Sequence, residues 1–161
     1  MQTDMIRGRS IIQGLLILSL LTLCGAATVI NGQDTSGGRV FQSERMRALV
    51  TNDGLASVTD PLDRYGADIV NSRAPWGRVK LVYRTGNGAW TERPDNRPGS
   101  LKDDGGRAVI ESDEAGDPVT LTQRFSLAGN ALDWEVEIGT REGKEVEIGD
   151  LGLYLPWSIA R

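Results

Sequence analysis

The stretch VTLTQRFSLAGNALDWEVEI, Val119 to Ile138, decides the fold. Apolar residues recur at alternate positions on both sides of Gly129-Asn130. Val119, Leu121, Phe125 and Leu127 precede the pair, and Leu132, Trp134, Val136 and Ile138 follow it. A period of two is the mark of half-buried strands. Gly-Asn between two such runs is a primed-type hairpin loop, whose backbone twist suits the flanking strands. Closing the chain there pairs Ala128 with Ala131. Leu127 then faces Leu132, Phe125 faces Trp134 and Leu121 faces Ile138 on the buried side. The other side sets Arg124 against Glu135 and Ser126 against Asp133. Both faces agree in one register, and a one-residue slip would invert every side chain.

Working outward, Thr140-Arg-Glu-Gly-Lys144 reads as a three-residue loop with Gly143 in a left-handed bulge position. That predicts Ile138 opposite Val146, Val136 opposite Ile148, Glu137 opposite Glu147, and a meander running on to Leu155. Asp150 then shares the face of Trp134 unless Gly149 is a bulge. Because Asp beside Gly is ordinary turn chemistry, Asp150 is read as a structural acid capping backbone amides. Upstream, Val79, Leu81 and Tyr83 alternate with Arg78, Lys80 and Arg84, and Thr91 to Asp104 reads as a long exposed loop with two prolines. No segment after residue 27 holds a helical stripe of useful length. The expected architecture is all-β, an antiparallel β-sandwich or half of a supersandwich, with an up-and-down meander at its C-terminal end.

The chain has 161 residues, so the length points to one domain. Residues 1–27 read as a signal peptide. Arg7 and Arg9 precede the apolar run Ile11 to Leu23, and Gly25-Ala26-Ala27 offers small residues for cleavage. The expected location is secreted or periplasmic, in a bacterial-type cell. Cys24 gives a second-ranked reading, a lipid anchor, although the bulky Leu23 before it is unfavourable. No other membrane contact is expected. Residues 28–45 read as a flexible leader and 46–161 as the β-sandwich domain, expected to be truncated at its C-terminal end.

Chemistry is scarce. The chain has no histidine and a single cysteine, which sits in the signal segment. That removes Ser-His-Asp and Cys-His nucleophiles and histidine-based metal sites. No Walker phosphate loop is present, and the formal net charge of −4 argues against nucleic acid. No cofactor and no metal are expected. Asp113, Glu114 and Asp117 surround a glycine turn, but their spacing is not that of a helix-loop-helix calcium loop, and a solvated turn is the reading. Paired carboxylates would suffice for glycoside hydrolysis, yet most acids fall at turns or on solvent faces, so no catalytic residue is assigned. Trp76, Trp90 and Trp157 are candidates for stacking on sugar rings, each with a competing reading as core.

Two stretches carry a resemblance. Asn52-Asp-Gly-Leu-Ala-Ser-Val-Thr-Asp-Pro-Leu-Asp-Arg-Tyr-Gly66 continues to Ala74-Pro-Trp-Gly-Arg-Val-Lys-Leu-Val-Tyr-Arg84, and Leu132-Asp-Trp-Glu-Val-Glu-Ile138 leads to Val146-Glu-Ile-Gly-Asp-Leu-Gly-Leu-Tyr-Leu-Pro-Trp157. They resemble the N-terminal, galactose-mutarotase-like β-sandwich of large secreted bacterial proteins of unknown function that carry a six-hairpin-glycosidase-like helical domain. The resemblance implies a non-catalytic accessory domain of a carbohydrate-active protein, packing against a helical domain that is downstream or separate. Such a domain alone is not expected to be an enzyme, while the longer protein would be glycoside hydrolase-like. The alternative is a free-standing carbohydrate-binding module whose exposed tryptophans take a polysaccharide.

Overall fold

The computed structural model describes residues 14–16, 30–33, 37–70, 76–93, 99–113, 115–141 and 143–155, and among them there is no helix. The alternating runs become antiparallel strands in three sheets. A five-stranded sheet runs β1 (Gly14–Leu16), β11 (Ala131–Thr140), β10 (Val119–Ala128), β9 (Arg107–Ser112) and β8 (Ser100–Asp104). A three-stranded sheet runs β12 (Val146–Tyr154), β6 (Arg78–Thr85) and β7 (Thr91–Arg93). The third runs β2 (Ile30–Gln33), β3 (Arg39–Gln42), β4 (Arg47–Thr51) and β5 (Gly54–Thr59) in chain order. One core joins them: Phe41 and Val50, Val79 and Leu81, and Ile110, Phe125 and Trp134 all fall in the same buried cluster.

The decisive hairpin has the predicted register. Ala128 pairs with Ala131, Phe125 with Trp134, Arg124 with Glu135, Ser126 with Asp133 and Leu121 with Ile138. Gly129 has φ 63°, the left-handed value that a primed turn requires and that a side chain resists. Phe125 and Trp134 stack with centroids 5.9 Å apart and planes within 1°. On the outer face Arg124 lies 2.7 Å from Glu137 and 3.6 Å from Glu135. The meander β8-β9-β10-β11 is up-and-down throughout.

Three expectations are corrected. First, Val146 to Tyr154 does not extend the meander beside β11 but crosses to pair with β6. Gly143 does turn left-handed, φ 73°, yet the turn hands the chain to another sheet. Glu147 therefore faces Arg84 and Glu137 faces Thr122, so the predicted like-charge pair does not form. Second, residues 28–45 are not merely a leader: β2 and β3 pair within them and Phe41 is fully buried. Polar flanks and strands of four residues hide the period there. Third, β7 and β8 lie at the two ends of the predicted loop, where their inward positions are Arg93 and Leu101 and show no apolar alternation. The prolines of that loop lie outside the described residues.

Candidate functional site: two faces of strand β12

Strand β12 ends the order of its sheet, so among the described residues it is an edge. Antiparallel partners share a face, which sorts its side chains by register. Ile148, Leu151 and Leu153 pair with Tyr83, Leu81 and Val79, the core-facing positions of β6. Glu147, Asp150, Gly152 and Tyr154 pair with Arg84, Val82, Lys80 and Arg78, the outward positions. The register shifts at Gly149, an inserted bulge residue that restores the inward parity of Leu151 and Leu153.

The inner face of β12 is left open. Leu81 and Val79 are buried, but Leu151 stays 40% exposed and Leu153 37%. Leu155 continues the series into an apolar cavity of about 60 Å³ lined also by Leu55, Trp76, Phe125, Leu132 and Trp134. Ligand pockets for drug-sized molecules run to about 300–1,000 Å³, so this slot suits a single side chain, not a sugar. The cavity is bordered by the amide of Asn130 and by no carboxylate among the described residues, which leaves it without a general acid or base.

The outer face carries Trp90, 47% exposed. A Cβ on Gly149 would stand 2.5 Å from Cζ3 of that ring, 2.9 Å from Cη2 and 3.0 Å from Cε3. Near-equal distances to neighbouring ring atoms place Gly149 beneath the ring face and not at its rim. Glycine is needed here for space, since any side chain would lift the indole off the sheet. The guanidinium of Arg84 sits 4.5 Å from the ring centroid and is fixed by Glu147, whose Oε2 accepts from Nε at 2.7 Å and lies 2.5 Å from Nη2 in an ion pair. A cation over an indole adds attraction to the packing. Further along the face, Lys80 lies 3.5 Å from Glu92 and Tyr154 is 53% exposed.

The sequence candidates separate clearly. Trp76 is core, 3% exposed, bridged through its backbone to Leu55, and its burial removes it as a stacking platform. Trp90 is at the surface. Trp157 lies outside the described residues, as do Glu114 and Cys24. Asp150 sits beside the bulge, but on the exposed outer face and not on that of Trp134.

Asp117 corrects the solvated-turn reading. It is buried, its Oδ2 3.1 Å from Arg93 Nε and its Oδ1 accepting from Tyr83 Oη at 3.2 Å and the Val119 amide at 3.1 Å. Arg93 also donates to the Ser112 carbonyl at 2.8 Å, and Arg141 donates to the Asp117 carbonyl at 2.7 Å and pairs with Asp113. This network ties β6, β7 and β9 to the start of β10 and the end of β11. Gln123 is a further buried polar residue that the apolar alternation does not single out. It occupies an inward position of β10, where its Oε1 accepts from the Trp134 indole N–H at 3.1 Å. The legible signal was a polar residue at apolar parity, diagonal to a tryptophan that needed an acceptor.

No protein-family model matches the chain, and no curated protein matches it. The functional reading therefore rests on geometry.

Proposed function

We propose that the chain is a non-catalytic accessory β-domain of a secreted carbohydrate-active protein, and that the inner face of β12 packs against a helical partner domain. The observation that carries this is the stripe of Leu151 and Leu153. By register both belong to the core face, yet each keeps more than a third of its surface in water. The bulge at Gly149 and the charges of the outer face guard the edge of β12 against strand pairing, but neither covers the leucines of the inner face. Packing a helix over the stripe would bury both leucines and close the rim of the cavity at Leu155. A full apolar side chain buried is worth roughly 1.5–3 kcal/mol.

The test is co-expression with helical polypeptides encoded beside this chain or in continuation of it. One of them should co-purify with the full chain, and Leu151→Asn with Leu153→Asn should abolish that association. If none binds, or the double variant binds equally well, the reading is wrong.

A further inference from the structure

We infer that the outer face of the β12-β6-β7 sheet is a binding platform for a linear chain of neutral pyranose sugars, with Trp90 and Tyr154 as its two stacking rings. The inference is independent of the packing reading, because it uses the opposite face of the same strand.

Trp90 is built into this position. Gly149 leaves room for the ring to lie flat on the strand, and the Arg84 guanidinium, held by Glu147, packs over part of the ring, while Trp90 as a whole stays 47% exposed. A ring pinned in this way loses little conformational freedom when a ligand stacks on it. The C–H face of a pyranose is apolar and flat and matches an indole face, while its hydroxyls point sideways, where Glu147 and Arg84 offer acceptor and donor. Tyr154 stands on the same face through its pairing with Arg78. From Gly149 to Tyr154 the strand advances about 16 Å, a span of several linked sugar rings. Between the two aromatics lie Asp150, Val82, the Lys80–Glu92 pair and Gly152, a polar floor that the glycine keeps low.

The floor also selects the ligand. Arg78, Lys80 and Arg84 balance Glu92, Glu147 and Asp150, so the face has no net charge to attract uronic or sulfated sugars. A protein partner is disfavoured, because interface cores are depleted of charged residues and this floor is made of them. The platform is shallow, which implies weak binding, with Kd of about 0.1–1 mM.

The experiment is calorimetry and indole fluorescence on the full chain with cellohexaose, maltohexaose, mannohexaose and xylohexaose. At least one should bind. Trp90→Ala should then weaken it about ten-fold or more. Tyr154→Ala should weaken the hexasaccharide but not the matching trisaccharide. Gly149→Leu keeps Trp90 in the sequence but lifts its ring, and should reproduce the Trp90→Ala loss. Leu151→Asn with Leu153→Asn should leave glycan binding unchanged, which separates failure here from failure of the packing reading. The proposal is overturned if none of the four binds, or if binding survives Trp90→Ala. It is equally overturned if Trp90→Ala abolishes self-association in sedimentation instead, since the face would then be a protein contact.

Discussion

At the scale of single residues, environment separates side chains of the same type. Trp134 and Trp90 are both tryptophans on strands or at their ends, but one is core and the other lies on the sheet surface. Trp134→Ala should cost about 3–5 kcal/mol in a denaturant titration, since it removes a stacked ring and leaves Gln123 Oε1 without its donor. Arg124→Ala should cost under about 1 kcal/mol, because its carboxylate partners are solvent-exposed. Asp60 offers a pH test. The Leu62 amide donates to its Oδ1 at 2.9 Å and, against the opposing effect of burial, holds the carboxyl below its ordinary 3.8; Arg45 adds to the lowering. A depressed carboxylate contributes stability that is present above the unfolded pKa and lost as pH falls through the folded one. That window lies below pH 3.8. Carbon-detected NMR titration should find Asp60 below this value, and Arg45→Ala should raise it only part of the way, because the amide remains.

At the scale of elements, local chemistry was readable and long-range partnership was not. The β10–β11 hairpin was legible because one turn and two alternating faces overdetermine its register. The destination of β12 was not. Its alternation is equally compatible with β11 and with β6, since either neighbour presents apolar residues at every second position. Gly149 was legible as a bulge, but its second role, making room for Trp90, joins residues far apart in sequence. The Asp117 network was hidden for the same reason: Tyr83, Arg93 and Arg141 are each unremarkable alone, and only the fold brings them to one carboxylate. That network predicts a large effect. Asp117→Ala removes the carboxylate that pairs with the buried Arg93 guanidinium and accepts from Tyr83 and the Val119 amide, and should cost about 3–5 kcal/mol. Asp113→Ala removes only an exposed partner of Arg141 and should cost under about 1 kcal/mol. Comparable losses for the two in thermal unfolding would mean that the buried pair does not hold the sheets together.

At the scale of the whole molecule, β12 presents different chemistry on its two sides, a leucine stripe on the inner one and charged and aromatic side chains on the outer one. Scattered exposed leucines are common and mean little on their own. Leu151 and Leu153 differ because register aligns them with the buried Leu81 and Val79, and Leu155 continues them into the cavity beside Trp134. The full chain without a partner is therefore expected to bind a hydrophobic dye and to self-associate as its concentration rises. Leu151→Asn with Leu153→Asn should lower both signals together. The fold should survive the change, because each side chain already keeps more than a third of its surface in water and so contributes only part of the roughly 1.5–3 kcal/mol of a fully buried leucine. Far-UV circular dichroism would confirm that the strands remain. Trp90→Ala supplies the contrast: it alters the outer face, leaves the leucine stripe intact and should change neither dye binding nor self-association. A parent chain that stays monomeric and ignores the dye would show that the inner face is already satisfied, and the helical partner would have nothing left to cover.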